Sequence, residues 1–485
     1  MDHQRPPRDG AAARPRRGRY RLRRPPDPEG RPDRPWPVGR GPMSEHATTA
    51  LEASLPVPRR KVWAWAMWDW GTQPLNTVII TFVFSVYITS KAFGPENTTS
   101  IALSVSNAVG GLIVALIAPV LGQASDRSGN TVRNLRWQTW AIAALAACLF
   151  FVAPAPAYLW LGLGILAAAS IVGEIANVNY YSLLDDVATK RDVGRVSGFG
   201  WGMGYLGGIV ALMALYFGFI QPEVGLFGVT DAGGMDIRVS MLFCAVWIAL
   251  FTIPTFVALR DKPKQAAPRV GVVASYRLLF ASLRRLWGTS RNTVRFLIAS
   301  ALFRDGLAGV FAFGAVLAAT TFGFSAGQVI IFGAVANVVA GVSTIAFGYL
   351  DDRIGPKRVI MISLVALCVF GVGVFALHDR GQIVFWTLGL AMCAFVGPAQ
   401  SASRSFLARL IPEGRSGEIF GLYATTGRAI SFLSPALFGL AIFLGSLATG
   451  SDNTQYFGIL GIVVVLIAGL VMMLRVSDPA ADETL

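Results

Sequence analysis

Long apolar runs separated by short polar loops fill this 485-residue chain from residue 63 almost to its end. A helix needs about 20 residues to cross a hydrocarbon core of roughly 30 Å. Twelve segments approach or exceed that length: 63–90, 100–123, 136–153, 158–184, 197–219, 239–259, 293–322, 327–349, 358–377, 383–408, 416–444 and 455–474. The pattern predicts an all-α membrane protein with twelve transmembrane helices.

The helices divide into two sets of six. Gly-x-x-x-Asp-Arg-x-Gly occurs at Gly122, Asp126, Arg127 and Gly129 and again at Gly348, Asp352, Arg353 and Gly355, each copy closing an apolar run, 226 residues apart. A second landmark repeats 221 residues apart: Phe199-Gly200 after Gly194-Arg195, and Phe420-Gly421 after Gly414-Arg415. Parallel six-helix repeats about an axis along the membrane normal are one transporter plan. The expected organisation is a tail at 1–58, a bundle at 59–259, a linker at 260–292, a second bundle at 293–475 and a tail at 476–485. The first tail is rich in Arg, Pro, Gly and Ala and predicts disorder, with Met43 an alternative start. In the linker, Leu279, Phe280, Leu283, Leu286 and Trp287 share one helical face, with Arg277, Arg284, Arg285 and Arg291 around the other, which reads as an amphipathic helix on the inner leaflet.

Charge sets the orientation. Only 14% of residues are charged and 54% are hydrophobic, while the net charge is +14. Residues 1–42 hold 12 Arg against 5 acids. Beyond them the basic residues crowd one set of loops, the opposite loops having Lys91, Arg238 and Arg380, so both termini are expected in the cytoplasm and the protein in the cytoplasmic membrane. No aromatic-studded basic surface suggests nucleic acid. Cys148, Cys244, Cys368 and Cys393 lie in apolar runs without metal-like spacing, and His3, His46 and His378 lie outside the runs. No metal, cofactor or enzymatic cluster is expected.

Ionisable groups within the spans are costly in lipid and mark function. They are Asp69, Glu174, the Arg304/Asp305 pair, Arg404 and Arg428. Asp69, Gln73 and Asn76 follow i, i+4, i+7, and Glu174, Asn177 and Tyr181 follow i, i+3, i+7, so each set forms one polar stripe. Pro74 should kink the first span and free backbone groups. Glu174 or Asp305 is the expected proton-linked acid, with Arg304 or Arg428 facing a substrate carboxylate or neutralising a partner. Gly200, Gly204 and Gly208 should let the fifth span approach a neighbour closely.

The repeated octapeptide resembles the loop motif of the major facilitator superfamily. That resemblance implies the major facilitator fold, with two pseudo-symmetric six-helix bundles and a cavity lined by spans 1, 4, 7 and 10. It implies that Asp126 meets the start of span eleven near Ser416 and Gly417, and Asp352 the start of span five near Val196 and Ser197. Arg127 would pair with Asp185 or Asp186 and Arg353 with Glu413, closing a cytoplasmic gate. The segment Trp65-Ala66-Met67-Trp68-Asp69-Trp70-Gly71 with Asn76 resembles the first-helix signature of a branch holding the fungal vacuolar amino-acid effluxers and related bacterial permeases. Gly173-Glu174, Phe303-Arg304-Asp305-Gly306 and Phe199-Gly200-Trp201-Gly202 are similar to the same branch, whereas Gln73-Pro74 departs from it. The implied protein is a monomeric secondary transporter in contact with membrane lipids, moving a small polar solute, with amino acids or similar zwitterions favoured and a coupling proton. A lipid or lysolipid translocator, or an exporter of an apolar drug-like compound, is the alternative on the same fold.

Overall fold

In the computed structural model, residues 57–261, 290–411, 415–450 and 454–478 are described, with scattered positions between 274 and 288. The tail expected at 1–58 lies outside them apart from its last two residues, as do Leu279, Phe280, Leu283, Arg285 and Leu286 of the amphipathic stretch and the end of the C-terminal tail. The described residues form helices and no strand. These are α1 (Arg59–Pro74), α2 (Glu96–Ser128), α3 (Thr131–Cys148), α4 (Leu159–Ser182), α5 (Val193–Leu215), α6 (Met235–Ala258), α7 (Arg291–Thr320), α8 (Ala326–Ile354), α9 (Pro356–Ala376), α10 (Leu390–Leu410), α11 (Ser416–Ile430), α12 (Leu433–Thr449) and α13 (Gly458–Leu474). Among the described residues, eleven helical stretches are long and apolar enough to cross a membrane, with α11 and α12 together forming one.

The remaining crossing is made by α3, whose 18 residues span roughly 27 Å. Its first turns carry Arg133 and Arg136, which lower its hydropathy, and Asp261 caps its start by accepting from the amides of Val132 at 2.8 Å and Arg133 at 3.3 Å. Local sequence sets other boundaries too. Ser325 and Gln328 form a reciprocal capping box at the start of α8, at 3.3 and 2.9 Å. Pro74 has no N–H for the Trp70 carbonyl, and the Trp247 indole of α6 donates to that carbonyl instead, at 3.4 Å. Beyond Pro74 the span continues as a π-helix over Leu75–Phe82.

Two buried apolar clusters form, one within α1–α6 and one built mainly from α7–α13, which also takes in Val114 and Ala118 of α2 and Val178 of α4. Large apolar side chains also remain exposed in stripes. Val246, Leu250, Ile253 and Val257 lie at i, i+4, i+7 and i+11 on α6, as lipid contact requires.

The halves meet mainly where α5 lies along α8 and α2 along α11, and the two seams are pseudo-symmetric. Gly198 passes over the Thr344 carbonyl on one seam, and Gly421 over the Ala118 carbonyl on the other. Ala118 and Thr344 are separated by the same 226 residues as the paired Asp-Arg turns, whereas Gly198 and Gly421 are 223 apart. The Phe-Gly landmark, offset by 221, therefore pairs Gly421 with Gly200, two residues from its structural counterpart. Gly200 instead faces Trp65 of α1, as Gly204 and Gly208 face Asp69 and Gln73 of that helix and Thr77 of its π-helical continuation.

Candidate functional site

A cavity of about 220 Å³ opens among α1, its π-helical continuation, α2, α3 and α4. Its polar wall holds Asn76, Ser106, Asn107, Glu174 and Asn177, and its apolar wall includes Trp68, Leu75 and Ile171. The second half contributes Arg428 of α11, whose Nη2 pairs directly with Glu174 Oε1. Both side chains are about a third exposed, so water reaches the pair. Gly110, Gly111 and Gly173 in the wall keep backbone close to the space.

Of the sequence-derived candidates, the stripe residues Asn76, Glu174 and Asn177 and the separate cation Arg428 reach this cavity, and the rest go elsewhere. Gln73 packs against Gly204 and Gly208 of α5. Tyr181 packs beside Phe420 and Trp201, its ring centroid 5.7 and 6.3 Å from theirs. Its neighbour Tyr180 turns to Asp69, donating its hydroxyl to Oδ2 at 2.9 Å, and is sandwiched between Trp65 and Trp68 at 4.5 and 4.3 Å. Asp69 Oδ2 also lies 3.7 Å from Arg404 Nη1 of the other half. The Arg404 guanidinium is 1% exposed, packs near the rings of Trp65, Tyr180, Tyr181 and Trp201, and donates to Ser197 Oγ at 3.0 Å and Ser197 O at 2.6 Å. This knot joins α1, α4, α5 and α10. Neither Tyr180 nor Ser197 carries a charge that marks it in sequence.

Arg304 and Asp305 do not act on one space. Helical geometry splays adjacent residues to different neighbours. Arg304 donates to the Tyr423 carbonyl at 2.9 Å, while Asp305 is buried and accepts from the Ser434 amide at 2.6 Å. Neither lines the cavity.

The two Asp-Arg turns lie on one face of the bundle, the basic face. Asp126 accepts from the amides of Gly417 at 2.9 Å and Glu418 at 2.8 Å, at the start of α11. Asp352 accepts from those of Gly194 at 2.8 Å and Arg195 at 3.0 Å, at the start of α5. The latter pair precedes the expected Val196 and Ser197 because α5 begins at Val193, and the unpaired amides belong to the first turn. Only the trailing glycine of each motif serves the turn: Gly129 and Gly355 have φ of 66° and 89°. The leading Gly122 and Gly348 instead admit the backbone of Gly417 and Gly194 from the opposite half.

Arg127 donates to Gln123 at 3.2 Å, and Asp185 accepts from the Ser416 hydroxyl. Asp186 is half-buried beside it, Arg353 is exposed, and Glu413 lies outside the described residues. Sequence reading missed Arg409, which lies 3.2 Å from both Asp351 and Asp352, and Asp351 itself, which accepts from Ser405. The signal was present, since Ser405 and Arg409 share one face of α10 at i, i+4.

Above Asp126 the α2–α11 seam rises turn by turn through Pro119 against Gly421, then Thr425 donating to the Ala115 carbonyl at 3.0 Å, to Arg428 beside Gly111. The halves are thus in contact from the basic face to the cavity.

A family model described as vacuole effluxer Atg22 like matches residues 85–483. The uncharacterized MFS-type transporter YxiO of Bacillus subtilis is 26% identical over 431 residues, covering 87% of this chain and 95% of that protein. Autophagy-related protein 22-2 of Aspergillus fumigatus is 26% identical over 321 residues, 59% of this chain, and the match spans only 50% of the fungal protein. Among solved structures, the human organic anion transporter MFSD10 superposes with a TM-score of 0.65 at 13% identity, over 86% of this chain and 99% of its own. The outward conformation of FucP gives 0.61 at 14% identity, over 87% and 99%. With eleven long apolar helical stretches and the shorter α3 among its described residues, arranged in two pseudo-symmetric bundles, the chain belongs to the Atg22-like effluxer family of the major facilitator superfamily.

Proposed function

We propose that this multi-pass membrane protein is a secondary transporter that moves a small zwitterion, an amino acid or a close analogue, by alternating access. The observation that carries this reading is the Glu174–Arg428 pair, shared between the halves inside the cavity. Removing one partner of such a pair strands the other charge, at a cost of about 3–5 kcal/mol when buried and less where water reaches it. A zwitterion avoids that cost by offering its carboxylate to Arg428 and its ammonium to Glu174. A monovalent ion satisfies one side, and an uncharged sugar neither.

The cavity's size supports the same solute. Its roughly 220 Å³ lies below the 300–1,000 Å³ usual for drug-sized ligands. An apolar drug or a lipid would need a larger, drier chamber. The fungal relatives' family description as effluxers is consistent with export.

Orientation follows the charge map: the basic face is cytoplasmic, both termini lie there, and the protein works as a monomer in the cytoplasmic membrane without a cofactor. The contacts of Asp126 and Asp352 then form a closed cytoplasmic gate. A proton gradient drives the cycle, with Glu174 the carboxylate that exchanges its cation for a proton or a substrate ammonium.

Proteoliposome uptake of labelled amino acids, sugars and lysolipids, with and without a pH gradient, tests the proposal. Gradient-stimulated uptake of an amino acid is expected, with Glu174→Gln losing the stimulation. Uptake confined to sugars or lysolipids would overturn the substrate reading, and full gradient-driven uptake by Glu174→Gln would overturn the proton role.

A further inference from the structure

The eleventh crossing is broken in its middle. α11 ends at Ile430, Ser431 and Phe432 form a turn, and α12 begins at Leu433. The two pieces have different partners. α11 is tied to the first half along its length, from the Gly417 and Glu418 amides on Asp126 to Arg428 on Glu174. α12 is anchored within its own half: Phe438 stacks on Phe313 of α7 with centroids 4.0 Å apart, and Phe438 also crowds Gly458 at the start of α13.

Two consecutive residues of α7 hold the two sides of the break. Arg304 donates to the Tyr423 carbonyl, and its guanidinium carbon lies 3.7 Å from the centroid of the Tyr423 ring. Asp305 accepts from the Ser434 amide in the first turn of α12, and the Ser434 hydroxyl returns a bond to the Asp305 carbonyl at 3.0 Å. The cation thus holds the middle of one helix and the carboxylate the N-terminus of the next, where a negative charge matches the helix dipole. Two glycines make the fit possible. A Cβ on Gly427 would come 3.2 Å from Arg304 Nη1, and one on Gly309 3.0 Å from Ser434 Oγ.

We propose that Arg304 and Asp305 are positioning residues that splint the broken helix, presenting Arg428 to Glu174 and letting α11 move as a rod about Ser431–Phe432. One end of the rod carries Arg428 in the cavity, and the other, roughly 16 Å away, carries the amides held by Asp126. Disturbing the ion pair loosens the Asp126 end, while Asp305 keeps α12 with its own half. The proposal goes beyond the transport reading: it assigns the coupling between the cavity and the basic face.

The test uses the full-length chain in nanodiscs, free of native cysteines and carrying Ser416→Cys, whose position is 6% exposed at the Asp126 end of α11. The maleimide labelling rate of that cysteine reports release of this end and needs no cargo, so its outcome is separate from that of the uptake assay. Glu174→Gln is expected to raise the rate about fivefold. Asp305→Asn should leave it unchanged, because an amide oxygen still caps Ser434, whereas Asp305→Ala should raise it about as much as Glu174→Gln. The double variant Glu174→Gln with Asp305→Ala should label no faster than either single one, as one shared rod requires. If Asp305→Ala does not fold, Gly427→Ala, which crowds Arg304, takes its place. Equal effects of Asp305→Asn and Asp305→Ala would overturn the splint in favour of a role for the charge itself. Multiplying effects in the double variant would overturn the coupling.

Discussion

Arg404 shows how a single residue can be visible in sequence while its role is not. A cation in an apolar run stands out, but its contacts with Asp69, Tyr180 and Ser197 come from three other helices. Helical spacing selected Tyr181 as the polar partner, and the residue that holds Asp69 is its neighbour Tyr180. Arg404→Met is expected to strand Asp69 and cost about 3–5 kcal/mol, and adding Asp69→Asn should restore part of that loss. Thermal unfolding of the purified variants in one detergent checks both. Gly198 is a second residue whose importance is steric: a Cβ would fall 2.7 Å from the Thr344 carbonyl and 2.8 Å from Gly348 Cα. Gly198→Val should prevent closure of the basic face and raise maleimide labelling of a cysteine at Ser401, which is 2% exposed. Gly314→Ala, with open space around it, should leave the rate unchanged.

At the scale of elements, α5 carries two glycine faces where the sequence pattern suggested one. Gly200, Gly204 and Gly208 receive α1, while Gly194, Gly198 and Gly202 receive α8 of the other half. A four-residue spacing identifies close packing but is silent on the partner, because both faces have the same period. The first crossing behaves similarly. Pro74 was legible as a break, whereas the Trp247 indole that takes over the Trp70 carbonyl, and the π-helix beyond, depend on how α6 packs. For α3 the decisive contact comes from 128 or more residues away, through Asp261 on two amides. Asp261→Ala is expected to cost about 1 kcal/mol, read as a lowered unfolding temperature with uptake retained.

Across the whole molecule, the two seams obey one pseudo-symmetry, yet the cavity does not. Four helices of the first half wall it, and the second half enters through Arg428. The cavity is therefore walled mainly by one bundle and entered by the other, an asymmetry that the duplicated turns gave no reason to expect. Closure of the basic face can be made covalent. Ser197 Oγ and Ser401 Oγ lie 3.2 Å apart across the halves, so Ser197→Cys with Ser401→Cys should form a disulfide that abolishes uptake and is reversed by a thiol reductant. Undiminished uptake by the oxidised protein would show that this interface need not open.

What the sequence alone determined follows from local physics. Lipid demands long apolar helices, the number and duplication of those helices limit the fold, and the cost of charge in lipid singles out Asp69, Glu174, Arg304, Asp305, Arg404 and Arg428. Tertiary structure decided which of these charges share a space. Glu174 and Arg428 are 254 residues apart and meet because α11 crosses onto α2 and α4, while the adjacent Arg304 and Asp305 part to opposite sides of a helix break. Helical periodicity sets the direction of each side chain relative to its own axis, and only the packing of the axes decides what lies in that direction.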